Sequence, residues 1–374
     1  MNTHKIGRLM AVAAVATLST ASLVACGGSD EGGGGDSGDS GGTDVGVILP
    51  DATTSPRWES QDRPNLEKAF ADADLKATIQ NAQGDTAKFG QLCDSMINQN
   101  VKVIIITNLD SESGASCLKK AADAGVTSID YDRLTLNGGA SYYVSFDNVK
   151  VGELMGTGLD ECLTAAGKKG GNIVYVNGAA TDNNAALFKS GYEKALKPKI
   201  DDGTYKLVGD QSGEWDATKA GQVFDQMYTA NGGKIDGVVS ANDTMAGGII
   251  ARLKANKVQG KIPVTGQDAS VEGLQNVLQG FQCGTVYKNT ALEAKAAADL
   301  AIALIDGDES AAEELVNGSV EDTEAGKDVP SVLAEPVWIT KDTVGTVIED
   351  EQADAAEVCA GAIADLCTEN GVPQ

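Results

Sequence analysis

Histidine is all but missing from this chain: the only one is His4. It lies in an N-terminal segment that reads as a removable leader, so Ser-His-Asp, Cys-His and histidine–zinc chemistry are excluded from the rest. No two cysteines have C-x-x-C spacing, which argues against a redox or metal site. Basic residues are scarce beside acidic ones, 29 Lys+Arg against 54 Asp+Glu. A surface of that sign repels phosphate backbones and excludes nucleic acid as a partner. There is no Walker-type glycine loop and no G-x-G-x-x-G after the first strand pattern, so no nucleotide ligand is expected. No acidic loop has the spacing of a calcium site, and neither a metal nor a cofactor is expected. Beyond the leader, no apolar run is long enough to cross a bilayer. Tryptophan is also rare, with three in the whole chain.

What is present begins at the N-terminus. Lys5 and Arg8 precede an apolar stretch from Leu9 to about Leu23, which ends in Leu23-Val24-Ala25-Cys26. This pattern predicts a secretory leader over 1–25 with a lipobox, similar to bacterial lipoprotein precursors in which the leader is removed and the cysteine carries the lipid. The plainer alternative is cleavage near Ala25 with Cys26 unmodified. Residues 26–44 are mostly Gly, Ser and Asp, bury little apolar surface, and predict a flexible tether. An exported protein, lipid-anchored through Cys26 to the outer face of the cell membrane, is the expectation. The other cysteines, Cys93, Cys117, Cys162, Cys283, Cys359 and Cys367, are even in number, which in an exported chain predicts three disulfides. Many pairings are open to such a set. The expected ones are Cys93–Cys117, Cys162–Cys283 and Cys359–Cys367, because each would fall on neighbouring elements of the fold argued next.

From Val45 onward, short β-rich runs alternate with amphipathic segments of helical length. Strands are predicted at 45–49, 77–80, 101–107, 127–131, 142–146, 172–177, 206–209, 237–240, 262–265 and 284–287. Continuous β-branched runs such as Val103-Ile104-Ile105-Ile106 mark strands covered on both faces. Helical patterns lie between them, at 66–73, 89–98, 149–165, 185–196, 219–230, 244–255 and 291–305. Strict alternation predicts an α/β fold of parallel, doubly wound sheets, and the strand count fits two lobes better than one.

Ligands of such sheets bind beyond the carboxyl ends of the strands, and the residues found there are polar. Asp132-Arg133, Asp147-Asn148, Asp182-Asn183-Asn184, Asp210-Gln211, Asn242-Asp243, Gln267-Asp268 and Lys288-Asn289 follow successive strands, and Ser55-Pro56-Arg57-Trp58 follows the first. Trp215 lies just beyond Asp210-Gln211. A monosaccharide needs planar groups such as Asp, Asn and Arg to hold adjacent hydroxyls, and flat aromatic surfaces against its C–H faces. Each residue also has a plainer role. Asp147, Asp182 or Asp243 would serve as helix N-caps, Asp132-Arg133 as an ion pair, Lys288 as a solvated lysine and Trp215 as packing.

These segments together resemble the type I periplasmic binding proteins, and within them the D-xylose-binding proteins of ABC transporters. The resemblance covers about 45–347. It rests on Pro56-Arg57-Trp58, Tyr131-Asp132-Arg133, Ser145-Phe146-Asp147-Asn148, Asp182-Asn183-Asn184-Ala185, Val208-Gly209-Asp210-Gln211, Gly266-Gln267-Asp268, Thr285-Val286-Tyr287-Lys288 and Lys327-Asp328-Val329-Pro330-Ser331, in that order and spacing. It implies two doubly wound parallel-sheet lobes joined by a three-segment hinge. The first lobe would be 45–144 with 289–329, the second 145–288 with 330–350, and 351–374 a C-terminal tail. Arg57 would donate to sugar hydroxyls and Trp58 would cover one face of the ring. Asp132 and Arg133 would form an acceptor–donor fork. From the other lobe Asn184, Asn242 and Asp268 would hold hydroxyls, Trp215 would stack on the second face, and Lys288 would donate near the hinge. The implied protein is a monomer that binds its sugar by hinge closure and delivers it to an ABC permease, without catalysis. Other readings keep the fold: a binder of ribose, arabinose or glucose, or a sugar sensor for a signalling receptor. A glycosidase using Asp132 and Asp268 is disfavoured, since the adjacent Arg133 would lower the carboxyl pKa. The six cysteines and the acidic C-terminus depart from the family pattern.

Overall fold

A computed structural model describes residues 42–373. The leader, Cys26 and the tether up to 41 lie outside the described residues. The first lobe is built on a seven-stranded sheet of order β10-β11-β5-β4-β3-β1-β2. Its strands are β1 (Val45–Leu49), β2 (Ala77–Asn81), β3 (Val103–Ile106), β4 (Thr127–Tyr131), β5 (Tyr142–Phe146), β10 (Gly318–Asp322) and β11 (Lys327–Ala334). The second lobe carries β6 (Gly171–Asn177), β7 (Tyr205–Ser212) and β8 (Gly237–Ser240) in order β7-β6-β8, with β9 (Thr285–Tyr287) paired to β12 (Val337–Ile339) beside them. Isolated parallel bridges, Val238 to Val264 and Gln267 to Val286, join β8 to β9.

The pleat explains why these strands are apolar throughout. Val45, Val47 and Leu49 face one layer of helices with Leu66, Phe70 and Ala297, while Ile48 faces Phe89, Met96 and Ile104 in the other. The second lobe repeats the arrangement around Ile173, Tyr175, Val238 and Ile249. Parallel pairing of β1 to β2 and β3, and of β6 to β7 and β8, matches the predicted α/β alternation.

Several elements differ from expectation. The strand predicted at 262–265 is reduced to single-residue bridging, because Pro263 has no N–H to extend a ladder. Strands β10 and β11 form an antiparallel hairpin at the sheet edge, and their acidic, half-exposed alternation hid them in the sequence. Strands β5 and β11 run side by side within the first sheet through Phe146 and Ala334, past the lobe boundaries expected at 144 and 329. The segment expected as a tail folds back on the second lobe, where Val358, Ile363, Cys367 and Val372 join a core with Leu274, Val277 and Tyr287. Gln352 then ties this segment to the first lobe, accepting from Asn65 and Thr290 at its side chain and from Gln61 at its carbonyl. The three disulfides are Cys93–Cys117, Cys162–Cys283 and Cys359–Cys367.

Asp130, in β4, is a buried acid outside the cleft. It accepts from the Thr135 amide at 2.6 Å and the Thr135 hydroxyl at 2.8 Å, fixing the turn after the strand. Burial pushes its carboxyl up to about 7, against those bonds and with the charge of Asp322 adding to the rise. The unfolded value is near 3.9. The folded state therefore holds the extra proton between the two, and stability is lost as pH rises through about 7. Asp130→Asn is expected to remove about 2 kcal/mol of the stability lost between about pH 5.5 and pH 8. Urea unfolding of both proteins at the two pH values checks this; identical pH dependence would contradict it.

Candidate ligand-binding cleft

Loops leaving the carboxyl ends of the strands of both lobes converge on one narrow cavity. Arg57, Trp58, Asp132 and Arg133 line it from the first lobe, and Asn184, Trp215, Asn242, Asp268 and Lys288 from the second, so every expected contact residue reaches the same place. Three of them hold their side chains there through left-handed backbone: Asp132 at φ 62°, Trp215 at φ 60° and Asp268 at φ 101°. Such conformations cost about 1–3 kcal/mol each in residues other than glycine, and persist where surrounding structure over-determines them.

The centre of the cleft is Arg57, which is 2% exposed. Its Nε and Nη2 donate to the two oxygens of Asp62, both at 2.7 Å, its Nη1 to Asp132 at 2.9 Å, and its Nη2 also to Glu293 at 3.2 Å. Lys288 donates to Asp132 at 3.2 Å and lies 3.7 Å from Asp268. Burial opposes ionisation of Asp132, but Arg57, then Lys288 and Arg133, hold its carboxyl well below the usual carboxylate range. Burial, followed by the charge of Asp132, pushes Glu293 the other way, well above its ordinary value. Asp268 and Asp182 are raised by burial as well, with Lys288 and Arg133 respectively resisting most. Three cations thus sit among five carboxyl groups, and burial together with the charge of Asp132 opposes ionisation of Glu293 within that network.

The lobes also bond across the cleft. Ser55 donates to Asp268 at 2.7 Å, Asn242 to the Thr54 carbonyl at 3.0 Å, and Asn184 to the Asp132 carbonyl at 2.9 Å. Arg133 does not pair with its neighbour Asp132; its Nε lies 2.9 Å from Asp182. That ion pair joins opposite lobes instead of forming a local fork, and it leaves the Nε hydrogen of Arg133 without an aligned acceptor. Asp182 and Asn242 also cap helices, accepting from the amides of Asn184 and Met245, so the cap expected at Asp182 is present while the one expected at Asp243 falls to its neighbour Asn242.

The two indoles differ in support. The guanidinium groups of Arg57 and Arg133 lie 4.5 and 5.4 Å from the Trp58 ring centre, which holds its plane in position. Trp215 packs edge-on to Phe188, ring centres 6.3 Å apart. The Trp215 Nε1 and the Gln267 Oε1 are buried in the cleft wall without a hydrogen-bond partner. The third tryptophan, Trp338, packs outside the cleft against Gly158 and Gly284.

Sequence reasoning missed Asp62, Glu293 and Phe188 as parts of the site, and singled out Gln267 only as a strand-end residue without a contact role. Glu293 had a signal, an acid on the buried face of the alanine-rich helix Thr290–Asp306. Asp62 had none, since it sits in a polar run, Glu59-Ser60-Gln61-Asp62.

Two sheets of parallel strands closing on a polar, tryptophan-walled cleft define a binding protein of the periplasmic class. The chain matches the periplasmic binding protein domain over residues 45–309 and belongs to that family. It is 35% identical over 308 residues to the D-xylose-binding periplasmic protein of Escherichia coli (strain K12), covering 82% of this chain and 89% of that one. It is 32% identical over 321 residues to the multiple sugar-binding periplasmic protein SbpA of Azospirillum brasilense, covering 82% and 88%. A carbohydrate transporter solute-binding protein from Chloroflexus aurantiacus, solved in complex with D-glucose, superimposes with a TM-score of 0.76 at 28% identity, covering 84% of this chain and 98% of that one.

Proposed function

We propose that this chain is the substrate-binding lipoprotein of an ABC sugar importer, capturing D-xylose by closure of its two lobes. The observation that carries the reading is the cleft wall itself. Trp215 offers an indole N–H and Gln267 a carbonyl oxygen that no protein group satisfies, beside acids and bases held ready for hydroxyls. Arg57 and Trp58 would act from one lobe with Asp132 and Arg133. Asn184, Trp215, Asn242, Asp268 and Lys288 would act from the other. A ligand that bridges both favours the closed form by its differential affinity for it. No bond is made or broken, and Asp132, held ionised by Arg57 and Lys288, is unsuited to general-acid work.

The sugar relatives favour a second reading of the ligand alone. One is named for several sugars and one structure holds D-glucose, so a hexose is the alternative occupant. Calorimetric titration with D-xylose, D-ribose, L-arabinose and D-glucose decides the matter. Tightest binding of D-xylose is expected; a tighter hexose replaces the ligand assignment, and no heat with any monosaccharide removes the function. Anchoring through Cys26 predicts partition into the detergent phase that is lost in Cys26→Ser, and equal partition of both proteins would refute it.

A further inference from the structure

Asp243 is a buried acid that does not line the cleft. Its Oδ2 accepts from the Ser270 amide at 2.9 Å and the Ser270 hydroxyl at 3.2 Å. Its Oδ1 accepts from Gln282 Nε2 at 2.7 Å and Thr285 Oγ1 at 2.8 Å. Its own amide donates to the Gln267 carbonyl at 3.0 Å. Every one of these bonds lands on the loop 266–270 or on the strand segment 282–285 behind it. The chain also leaves room for the carboxylate: a Cβ at Gly266 would stand 2.1 Å from Asp243 Oδ1, and one at Gly273 2.0 Å from Oδ2. Only glycine allows so close an approach at both positions.

That loop carries Asp268, whose backbone is strained at φ 101°, followed by Ala269 at φ 50°. Two consecutive left-handed residues without glycine need outside support. The loop is laddered to Val286, whose amide donates to the Gly266 carbonyl at 3.0 Å and whose carbonyl accepts from the Asp268 amide at 2.9 Å, while the Ala269 amide reaches only Thr285 Oγ1 at 3.3 Å. Thr285 is itself held by Asp243. The strained pair is therefore held on its C-terminal side by the Asp243 carboxylate, through Ser270 and Thr285, and on its N-terminal side by the Asp243 amide at the Gln267 carbonyl.

We propose that Asp243 is a positioning residue for ligand capture, holding the loop 266–270 in the backbone conformation that aims the Asp268 carboxylate into the cleft. This rests on the sugar-binding reading for its affinity readout and on geometry alone for its structural one. Converting the carboxylate to an amide sets an N–H₂ against one of its donors, so the loop relaxes toward unstrained backbone and Asp268 turns away. A residue that merely stabilised the lobe would weaken binding equally whether or not Asp268 were intact. One that acts through Asp268 would not.

The test is a double-mutant cycle by calorimetric titration with D-xylose on the wild type, Asp243→Asn, Asp268→Asn and the double variant. Asp243→Asn is expected to weaken binding by about tenfold, and by less than about twofold when Asp268→Asn is already present. Wild-type affinity in Asp243→Asn, or the same loss in both backgrounds, overturns the proposal. Thr285→Val removes one of the four bonds and serves where Asp243→Asn fails to fold, with a loss of about threefold expected. Hydrogen exchange of the Ala269 and Ser270 amides in the ligand-free protein separates this proposal from the function. Exchange about tenfold faster in Asp243→Asn or Thr285→Val supports the positioning role even if no monosaccharide binds the wild type, and unchanged exchange overturns it.

Discussion

Arg57→Met is expected to lower the free energy of unfolding by about 3–5 kcal/mol, the range for removing one partner of a buried ion pair. The reason is the company it keeps. Asp62, Asp132 and Glu293 each lie within 3.2 Å of its guanidinium, and Asp268 lies 3.9 Å away. Without the cation, the Asp62 carboxyl keeps the Tyr131 hydroxyl as a donor and the Asp132 carboxylate keeps Lys288 and Asn184 Nδ2, all of them buried. Arg57→Lys keeps the charge but cannot make two parallel bonds to Asp62 while reaching Asp132, so it should recover only part of the loss. Urea unfolding at neutral pH checks both variants. A loss below about 1 kcal/mol in Arg57→Met would mean that the acids simply take up protons, and that the arginine is not what holds the network together.

On the proposed function, the largest effect on sugar capture is expected at Asp132. Asp132→Asn should weaken D-xylose binding by about a hundredfold to a thousandfold, from the range of about 2–5 kcal/mol for truncating a buried, hydrogen-bonded charge at an interface. The substitution keeps the shape of the side chain and leaves its carbonyl, which receives Tyr143, Ser145 and Asn184, untouched. What changes is the charge against which Arg57 and Lys288 are set. With that charge gone, both cations turn to Asp268 and Glu293, and the groups presented to a ligand are rearranged. Binding unchanged within a factor of about three, measured by calorimetry on a folded variant, would place Asp132 in the scaffold and not in the recognition surface.

Much of the architecture was legible from residue order because it depends on local chemistry. Val103-Ile104-Ile105-Ile106 reads as a strand covered on both sides, and all four residues are buried. Polar residues after successive strands fall in one cavity because parallel sheets put their carboxyl ends on one edge. The hairpin of β10 and β11 was illegible for the opposite reason: Ser319, Glu321, Lys327 and Asp328 face water at an edge, where burial imposes little pattern. The C-terminal segment likewise reads as acidic and loose, yet Val344, Val347, Val358 and Ile363 supply a small core once Cys359 and Cys367 close it.

Composition and periodicity alone determined that this chain is an α/β protein without imidazole chemistry beyond its first residues, carrying hydroxyl-seeking side chains at its strand ends. Only the tertiary structure decided which charges meet. Arg57 finds Asp132 at a separation of 75 residues and Glu293 at 236, and Arg133 passes over its neighbour to reach Asp182. Periodicity reports what a few adjacent residues require of solvent, whereas ion pairing follows distance through space, which a folded backbone alone establishes.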